Sequence, residues 1–192
     1  MNMTRGMRVV LVSGALLTIL FVVLRNFCPI SGIALTRSRL AIHRLKNRTS
    51  TPGPADFDER ATLAGLLAPG SDTGRWSQSQ AARLEGYVVS VSEGPLEAAN
   101  CYCARDVHIM LAERVDAPPT KQIVLEITPR FHLSARPGQE LVGHRVRFEG
   151  WLLFDWQHAG EAENTSPRRV ENWRASGWEL HPVTKFEILD RK

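Results

Sequence analysis

Residues 144–154, HRVRFEGWLLF, are the stretch that decides the fold of this 192-residue chain. The run contains Val146, Phe148, Trp151 and Phe154, and these residue types are enriched in strands. Gly150 interrupts the run near its centre, where a barrel strand often bends sharply. The composition therefore predicts one long β-strand with a bend at Gly150.

Four further segments have the composition or the alternation of strands, and they are residues 86–92, 107–111, 122–127 and 178–189. Between the third and fourth strands, residues 131–141 are predicted to hold one short helix or turn. Five strands with a helix at this place are the order expected of an OB-fold, a small Greek-key barrel. We predict an all-β, five-stranded, OB-fold-like barrel with one short helix. An unrelated small β-sandwich is the alternative.

The N-terminus carries a membrane or export signal. Residues 9–24 form an apolar run that follows Arg5 and Arg8, which is the layout of a signal sequence. The run is slightly shorter than the roughly 20 residues that span a bilayer. A second apolar run follows Arg25, whose side chain could snorkel to the membrane surface. We predict a signal sequence or membrane anchor over residues 1–35, so the membrane is the expected partner of this segment.

The rest of the chain divides by composition. Residues 36–56 are basic and then rich in Pro, Gly, Ser and Thr, which is typical of a linker. Residues 57–83 are predicted to form a short helix, near 58–67, followed by a loop. Residues 84–192 are predicted to be the OB-like domain.

The excess positive charge lies entirely in the N-terminal part. The first 50 residues hold eight of the 24 Lys and Arg residues and no acid, which leaves 16 basic and 20 acidic residues in 51–192, a net charge of −4. A domain of this charge argues against nucleic acid as a partner.

The apolar run and the charges around it leave three alternatives for the location of the predicted domain. A short N-terminus followed at once by an apolar run favours a membrane-anchored chain with its domain outside the cytoplasm, in the periplasm. The small residues Gly32 and Ala34 allow cleavage, after which the domain would be exported. The many Lys and Arg residues after the apolar run favour the opposite topology, with the domain facing the cytoplasm.

Acidic residues stand close to histidines at three places in the sequence. Strand residues two apart point to the same face, so two of these pairs share a strand face, while the third follows the end of the fourth strand. The pairs are Asp106 with His108, Glu179 with His181, and Asp155 with His158.

These pairs predict one shared metal site of nitrogen and oxygen ligands. Such a set would suit a divalent transition metal such as zinc, manganese or iron, which could activate a water for hydrolysis. The alternative is three separate histidines, each hydrogen-bonded to its neighbouring acid.

The cysteines allow a second metal-binding interpretation. Cys101 and Cys103 form a C-x-C sequence that could make a zinc corner with His108. The alternatives are oxidation of these thiols, to each other or to another chain, and two ordinary loop cysteines. Because Cys28 lies in or beside the predicted membrane segment, we expect no disulfide framework.

Tryptophans are concentrated near the C-terminus. Aromatic side chains are common ligand platforms in OB-folds, so they are candidate ligand-binding residues together with a nearby arginine. The candidates are Trp151, Trp173, Arg174 and Trp178. The alternative role for these tryptophans is packing in the barrel core.

Several segments carry a resemblance to a known group of proteins. They are 86–89 (GYVV), 100–101 (NC), 106–109 (DVHI), 126–130 (EITPR), 150–155 (GWLLFD) with His158, 172–175 (NWRA) and 178–184 (WELHPVT). Residues 86–188 thus resemble an uncharacterised bacterial family of OB-like domains with a C-terminal Trp-Glu-x-His-Pro-Val motif. The resemblance implies a fold and a shared polar cluster but no activity.

Two functions follow from these observations. The first is a membrane-tethered or exported OB-like binding module that holds an unknown ligand or protein partner. The second is a metal-dependent hydrolase, of the nuclease or phosphoesterase type, which would use the acid and histidine residues as ligands and general base.

Overall fold

Five strands close a barrel in the computed structural model, which describes residues 28–131, 133 and 137–190. The order around the barrel is β1-β2-β3-β5-β4, and neighbours are antiparallel except that β3 and β5 run parallel. The predicted five-stranded barrel is confirmed as a mostly β, mixed, closed barrel. The strands are β1 (Ala81–Glu93), β2 (Val107–Ala112), β3 (Ile123–Ile127), β4 (Arg145–Phe154) and β5 (Trp178–Ile188).

Alternation along the strands separates the core from the outer face of the barrel. In β2, Val107, Ile109 and Leu111 enter the hydrophobic core, so His108 faces outward. In β3, Leu125 is in the core and pairs with the core residue Leu180 of β5, which turns their polar neighbours to the outside. His108 of β2, Glu126 of β3 and the pair Glu179 and His181 of β5 therefore lie on the outer face of the barrel, opposite its core.

The pairing of β4 with β5 is irregular at Gly150, the residue where the sequence predicts a bend. The register between β4 and β5 shifts on both sides of this residue. A Cβ added at Gly150 would lie 2.7 Å from the carbonyl oxygen of Pro182, which is a backbone atom and cannot move aside cheaply. Glycine is required here because the two strands approach too closely for any side chain.

Among the described residues, two short α-helices lie outside the barrel, α1 (Arg37–Lys46) and α2 (Leu63–Leu67). The first lies in the segment whose composition predicts a linker. Its sequence, RSRLAIHRLK, has no broad apolar face. Polar contacts hold the helix against the barrel instead of an apolar stripe. Thr36 caps its start by accepting a hydrogen bond from the backbone of Arg39, and basic residues in its last turn suit the helix dipole.

The other predicted helical segments are shorter than expected. Helix α2 begins only after Thr62, which accepts a hydrogen bond from the backbone of Gly65. The residues before Thr62 are not helical. Asp58 forms an ion pair with Arg60 and donates its backbone N–H to the carbonyl oxygen of Ala81. In the described part of 131–141, the sole helical element is a 3₁₀ turn, Gln139–Leu141.

Residues 28–50, which we call the N-terminal cap, pack on the outside of the barrel. A disulfide joins Cys28 to Cys101 in the β1–β2 loop, and Ile33 donates its backbone N–H to Ala98 of the same loop. The expectation that Cys28 takes part in no disulfide framework was wrong, as was a zinc corner built on Cys101. Sequence spacing alone missed the pair because 73 residues separate the two cysteines.

The cap also contains the last part of the predicted membrane anchor. Residues 28–35 are turns rather than a helix, and they are tied to the barrel by the disulfide. The apolar run at 9–24 lies outside the described residues, so the anchor stays a prediction. Among the residues that the structure describes, no helix is long and apolar enough to cross a membrane.

Replacing Gly150 with alanine should destabilise the barrel by about 1–3 kcal/mol, because the new methyl group meets the backbone of β5. Urea denaturation followed by circular dichroism measures the change. Gly53→Ala is the matched control, since its φ is −86° and its nearest contact would be an ordinary 3.6 Å. Equal midpoints for the two variants would contradict this account of β4.

Candidate functional site

The polar outer face of β2, β3 and β5 is buried beneath the N-terminal cap. His108, Glu126 and His181 project from these three strands, and the β1–β2 loop adds further carboxylates beside them. We call this set of side chains the acid–histidine cluster. Its members are Glu97, Asp106, His108, Glu126, Glu179 and His181.

Glu126 is the centre of the acid–histidine cluster. Its Oε1 lies 3.5 Å from His108 Nε2, and its Oε2 lies 3.0 Å from His181 Nδ1. His181 Nδ1 is also 3.2 Å from Glu179 Oε1. Two of the three predicted acid–histidine pairs are therefore brought together, and they meet through a carboxylate that was not among the predicted ligands.

His181 is a buried imidazolium in this arrangement. Burial opposes its charge, but the charge of Glu126 and hydrogen bonding with Glu126 and Glu179 prevail and raise the pKa of His181 to about 10. Burial likewise opposes the charge of Glu126, yet the charges of His181 and Lys46 hold the pKa of Glu126 well below its usual value. The two groups form an ion pair inside the protein.

Arg174 connects the cluster to the third predicted pair. Its guanidinium is fully buried and donates to Glu179 Oε2 at 2.8 Å and to Asp155 Oδ2 at 3.2 Å. Asp155 Oδ2 lies 2.7 Å from His158 Nδ1. Burial raises the pKa of Asp155, but the hydrogen bond with His158 and the charge of Arg174 outweigh that effect and lower it to about 2.

Lys46, the last residue of α1, supplies another buried cation. Its Nζ donates to Glu97 Oε2 at 3.1 Å, and the side chain is 7% exposed. Burial opposes its charge, yet the negative charges of Glu126, Glu179 and Glu97 keep the pKa of Lys46 above its usual value. The cap thus contributes a positive charge to a surface that is otherwise acidic.

The Asp106 end of the cluster has more acceptors than donors. Asp106 Oδ2 accepts a hydrogen bond from Asn100 Nδ2 at 3.1 Å. Asp106 Oδ1, Asn100 Oδ1 and His108 Nε2 are buried and have no hydrogen-bond partner among the described residues. Burial and the nearby charge of Glu126 raise the pKa of Asp106 to about 6. These unpartnered atoms, which lie beside a second carboxylate, are an environment that a cation would stabilise.

In the part of the chain that the structure describes, two sets of side chains have ligand atoms that lie within 4.8 Å of one another. They are Glu97, Asp106, His108 and Glu126, and Glu126, Glu179 and His181. In the second set, His181 Nδ1 is already engaged by both carboxylates. The first set is the better candidate for a metal, since three of its four side chains, Asp106, His108 and Glu126, carry a buried atom without a hydrogen-bond partner, against two of three in the second set. His158 and Asp155 belong to neither set, so the structure does not bring the three predicted histidines into one ligand group.

The predicted ligand-binding residues do not form one surface. Trp178 is in the core and donates its Nε1–H to the carbonyl of Asp72 at 2.7 Å. Trp151 is buried beneath Arg48 and donates to the carbonyl of Ser50 at 2.8 Å. Trp173 is partly exposed and packs edge-on against His158, while Arg174 is occupied by two carboxylates.

Sequence proximity missed Glu126, Glu97 and Lys46. Glu126 had a detectable signal, since it is a charged residue within the otherwise apolar run 123–127 and falls on the outward face. Glu97 and Lys46 had no such signal, because they are 51 residues apart and meet only through the packing of the cap.

Replacing Arg174 with methionine should destabilise the protein by about 3–5 kcal/mol, because Asp155 and Glu179 would lose a buried cationic partner. Chemical denaturation provides the measurement. Arg114→Met is the matched control, since Arg114 pairs with Asp116 on the exposed surface and its loss should leave stability nearly unchanged. An Arg174→Met variant as stable as wild type would show that this pair is not needed to hold the cluster.

No protein-family model, no curated protein and no solved structure matches this chain. The resemblance to bacterial OB-like proteins therefore rests on the sequence motifs alone. What the structure adds is a five-stranded mixed barrel with a buried acid–histidine cluster on its outer face. The acid–histidine cluster is the structural feature that bears on function.

Proposed function

We propose that the chain is an extracytoplasmic, OB-like binding module that holds a divalent transition metal on the outer face of its barrel. The single observation behind this proposal is the set of unpartnered buried acceptors that converge with two carboxylates at the Asp106 end of the cluster. The proposed ligands are Glu97, Asp106, His108 and Glu126. Three carboxylates and one imidazole suit manganese, iron or zinc.

The barrel topology supports the OB-like assignment. A closed five-stranded barrel with the order β1-β2-β3-β5-β4 is compatible with the Greek-key connection of that fold. OB-folds bind ligands on the face of strands 2 and 3, between the β1–β2 and β4–β5 loops. His108 on β2, Glu126 on β3 and Asp106 at the end of the β1–β2 loop occupy the corresponding place.

The disulfide supports a location of the domain outside the cytoplasm. Cys28–Cys101 requires an oxidising compartment, which is met outside the cytoplasm. We propose that the part of the predicted anchor that precedes the cap, residues 1–27, tethers the barrel to the membrane on that side. The cap then connects the anchor directly to the face that carries the proposed site.

Metal binding can be tested on the purified full-length chain. Manganese added to wild-type protein should bind at one equivalent, as measured by electron paramagnetic resonance of the free ion. Glu126→Gln and His108→Ala should each weaken this binding by about tenfold or more, since each removes a ligand. Elemental analysis of the protein as isolated identifies the native metal.

His144→Ala is the matched control for these variants. His144 is also close to a carboxylate, Asp190, but it lies on the exposed surface away from the cluster. Its replacement should leave manganese binding unchanged. A wild-type chain that binds no manganese or zinc, or equal binding by Glu126→Gln and wild type, would overturn the proposed site.

A metal-dependent hydrolase is the second candidate, and partial exposure at one edge of the site favours it. The side chains of His108 and Glu97 are 23% and 24% exposed, so solvent can approach there. A metal held at this edge could keep an open position for an activated water. In such an enzyme one carboxylate of the cluster would act as the general base instead of binding the metal.

Hydrolysis can be measured with bis(p-nitrophenyl) phosphate as the probe. The hydrolase predicts turnover by the manganese-loaded full-length chain that His108→Ala reduces at least about a hundredfold and that His144→Ala does not reduce. Stoichiometric manganese binding without turnover above that of free manganese would rule out phosphodiester hydrolysis and leave the binding module.

A further inference from the structure

The proposed cation site already has a positively charged neighbour that belongs to the chain itself. Lys46 reaches from the end of α1 into the carboxylates of the acid–histidine cluster, with its Nζ 3.1 Å from Glu97 Oε2. Glu97 is one of the four proposed metal ligands. Its carboxylate therefore cannot be given fully to a metal while it is paired with the ammonium group.

The Lys46 ammonium group is surrounded by carboxylates, as a bound metal cation would be. The carboxylates that act on its charge come from β3, from β5 and from both adjoining loops, and they are Glu126, Glu179, Glu97 and Asp155. A divalent ion placed among Glu97, Asp106 and Glu126 would repel an ammonium group held this close.

The backbone of the cap is held independently of Lys46. Asn47 donates to the carbonyl of Ala99 at 2.8 Å and accepts from Thr128 at 3.1 Å. Arg48 donates to the carbonyls of Leu152 and His181, and the disulfide ties down the start of the cap. The flexible four-carbon stem of Lys46 can therefore move while the cap stays in place.

We propose that Lys46 is a built-in competitor for the metal site, which occupies the carboxylates in the absence of metal and is displaced when a divalent cation binds. This inference rests on the proposed function, since it concerns the same four ligands. It makes the cap a regulator of affinity, because the metal must exchange with an internal cation rather than enter an unopposed acidic cluster. Linkage requires the effect to be reciprocal, so metal binding must release Lys46.

The first test compares manganese affinities of full-length variants. Lys46→Met keeps the length of the stem and removes the charge, so it should bind manganese about tenfold more tightly than wild type or better. Lys46→Arg keeps a positive charge and should not gain affinity. Lys185→Met is the matched control, because Lys185 is exposed and lies 3.8 Å from Glu149, outside the cluster.

The second test uses the wild-type chain and so does not depend on the folding of a variant. An acetylating reagent is applied with and without saturating manganese, and the modification of each lysine is read by mass spectrometry. Lys46 should be protected without metal and labelled with it, whereas labelling of Lys185 should not change.

The outcomes separate the two proposals. If neither wild type nor Lys46→Met binds manganese, the metal site itself is wrong. If both bind with the same affinity and Lys46 stays protected in the metal-bound protein, the site stands and the competition is overturned. Tighter binding by Lys46→Met together with metal-dependent labelling of Lys46 would establish the competition.

Discussion

Compensation of buried charge on the outer face of the barrel is the constraint on which this structure depends. Glu126, Glu179 and Asp155 are almost fully covered, and leaving any of them without a cation would be very costly. His181 of β5 pairs with Glu126, and Arg174 and Lys46, which come from segments outside the strands, supply the other compensating charges. The β4–β5 loop and the N-terminal cap must therefore fold against the barrel for its own strands to be stable.

This constraint explains why a segment with the composition of a linker is ordered. Helix α1 has little apolar surface to bury, but its last turn places Lys46 and then Asn47 against polar groups of the barrel. The disulfide ties Cys28 to the loop that also carries Glu97 and Asp106. It thereby reduces the conformational entropy that the unfolded chain loses when the cap packs on the barrel. Cap, loop and strands thus form one electrostatic unit, in which a metal would be one more charge to be balanced.

The barrel itself was largely predictable. Each of the five predicted strands is present with boundaries close to those expected, because β-branched and aromatic residues in alternation report directly on burial. The start of β1 was the main omission, since Ala81 and Ala82 are buried without having strong strand propensity. The position of His108 opposite the core residues of β2, and the shared face of Glu179 and His181, also followed from the two-residue period of a strand.

The amino-acid sequence is enough to predict which residues of a strand share a face, because that depends only on local periodicity. Which of those residues meet depends on strand order and on the packing of loops, so it cannot be predicted from periodicity. The folded chain shows that Glu126 joins His108 to His181, that His158 belongs to a separate pair, and that Cys28 bonds to Cys101. The contact between Lys46 and Glu97 is the clearest case, because a covalently tethered cap brings together two charges that are distant along the chain.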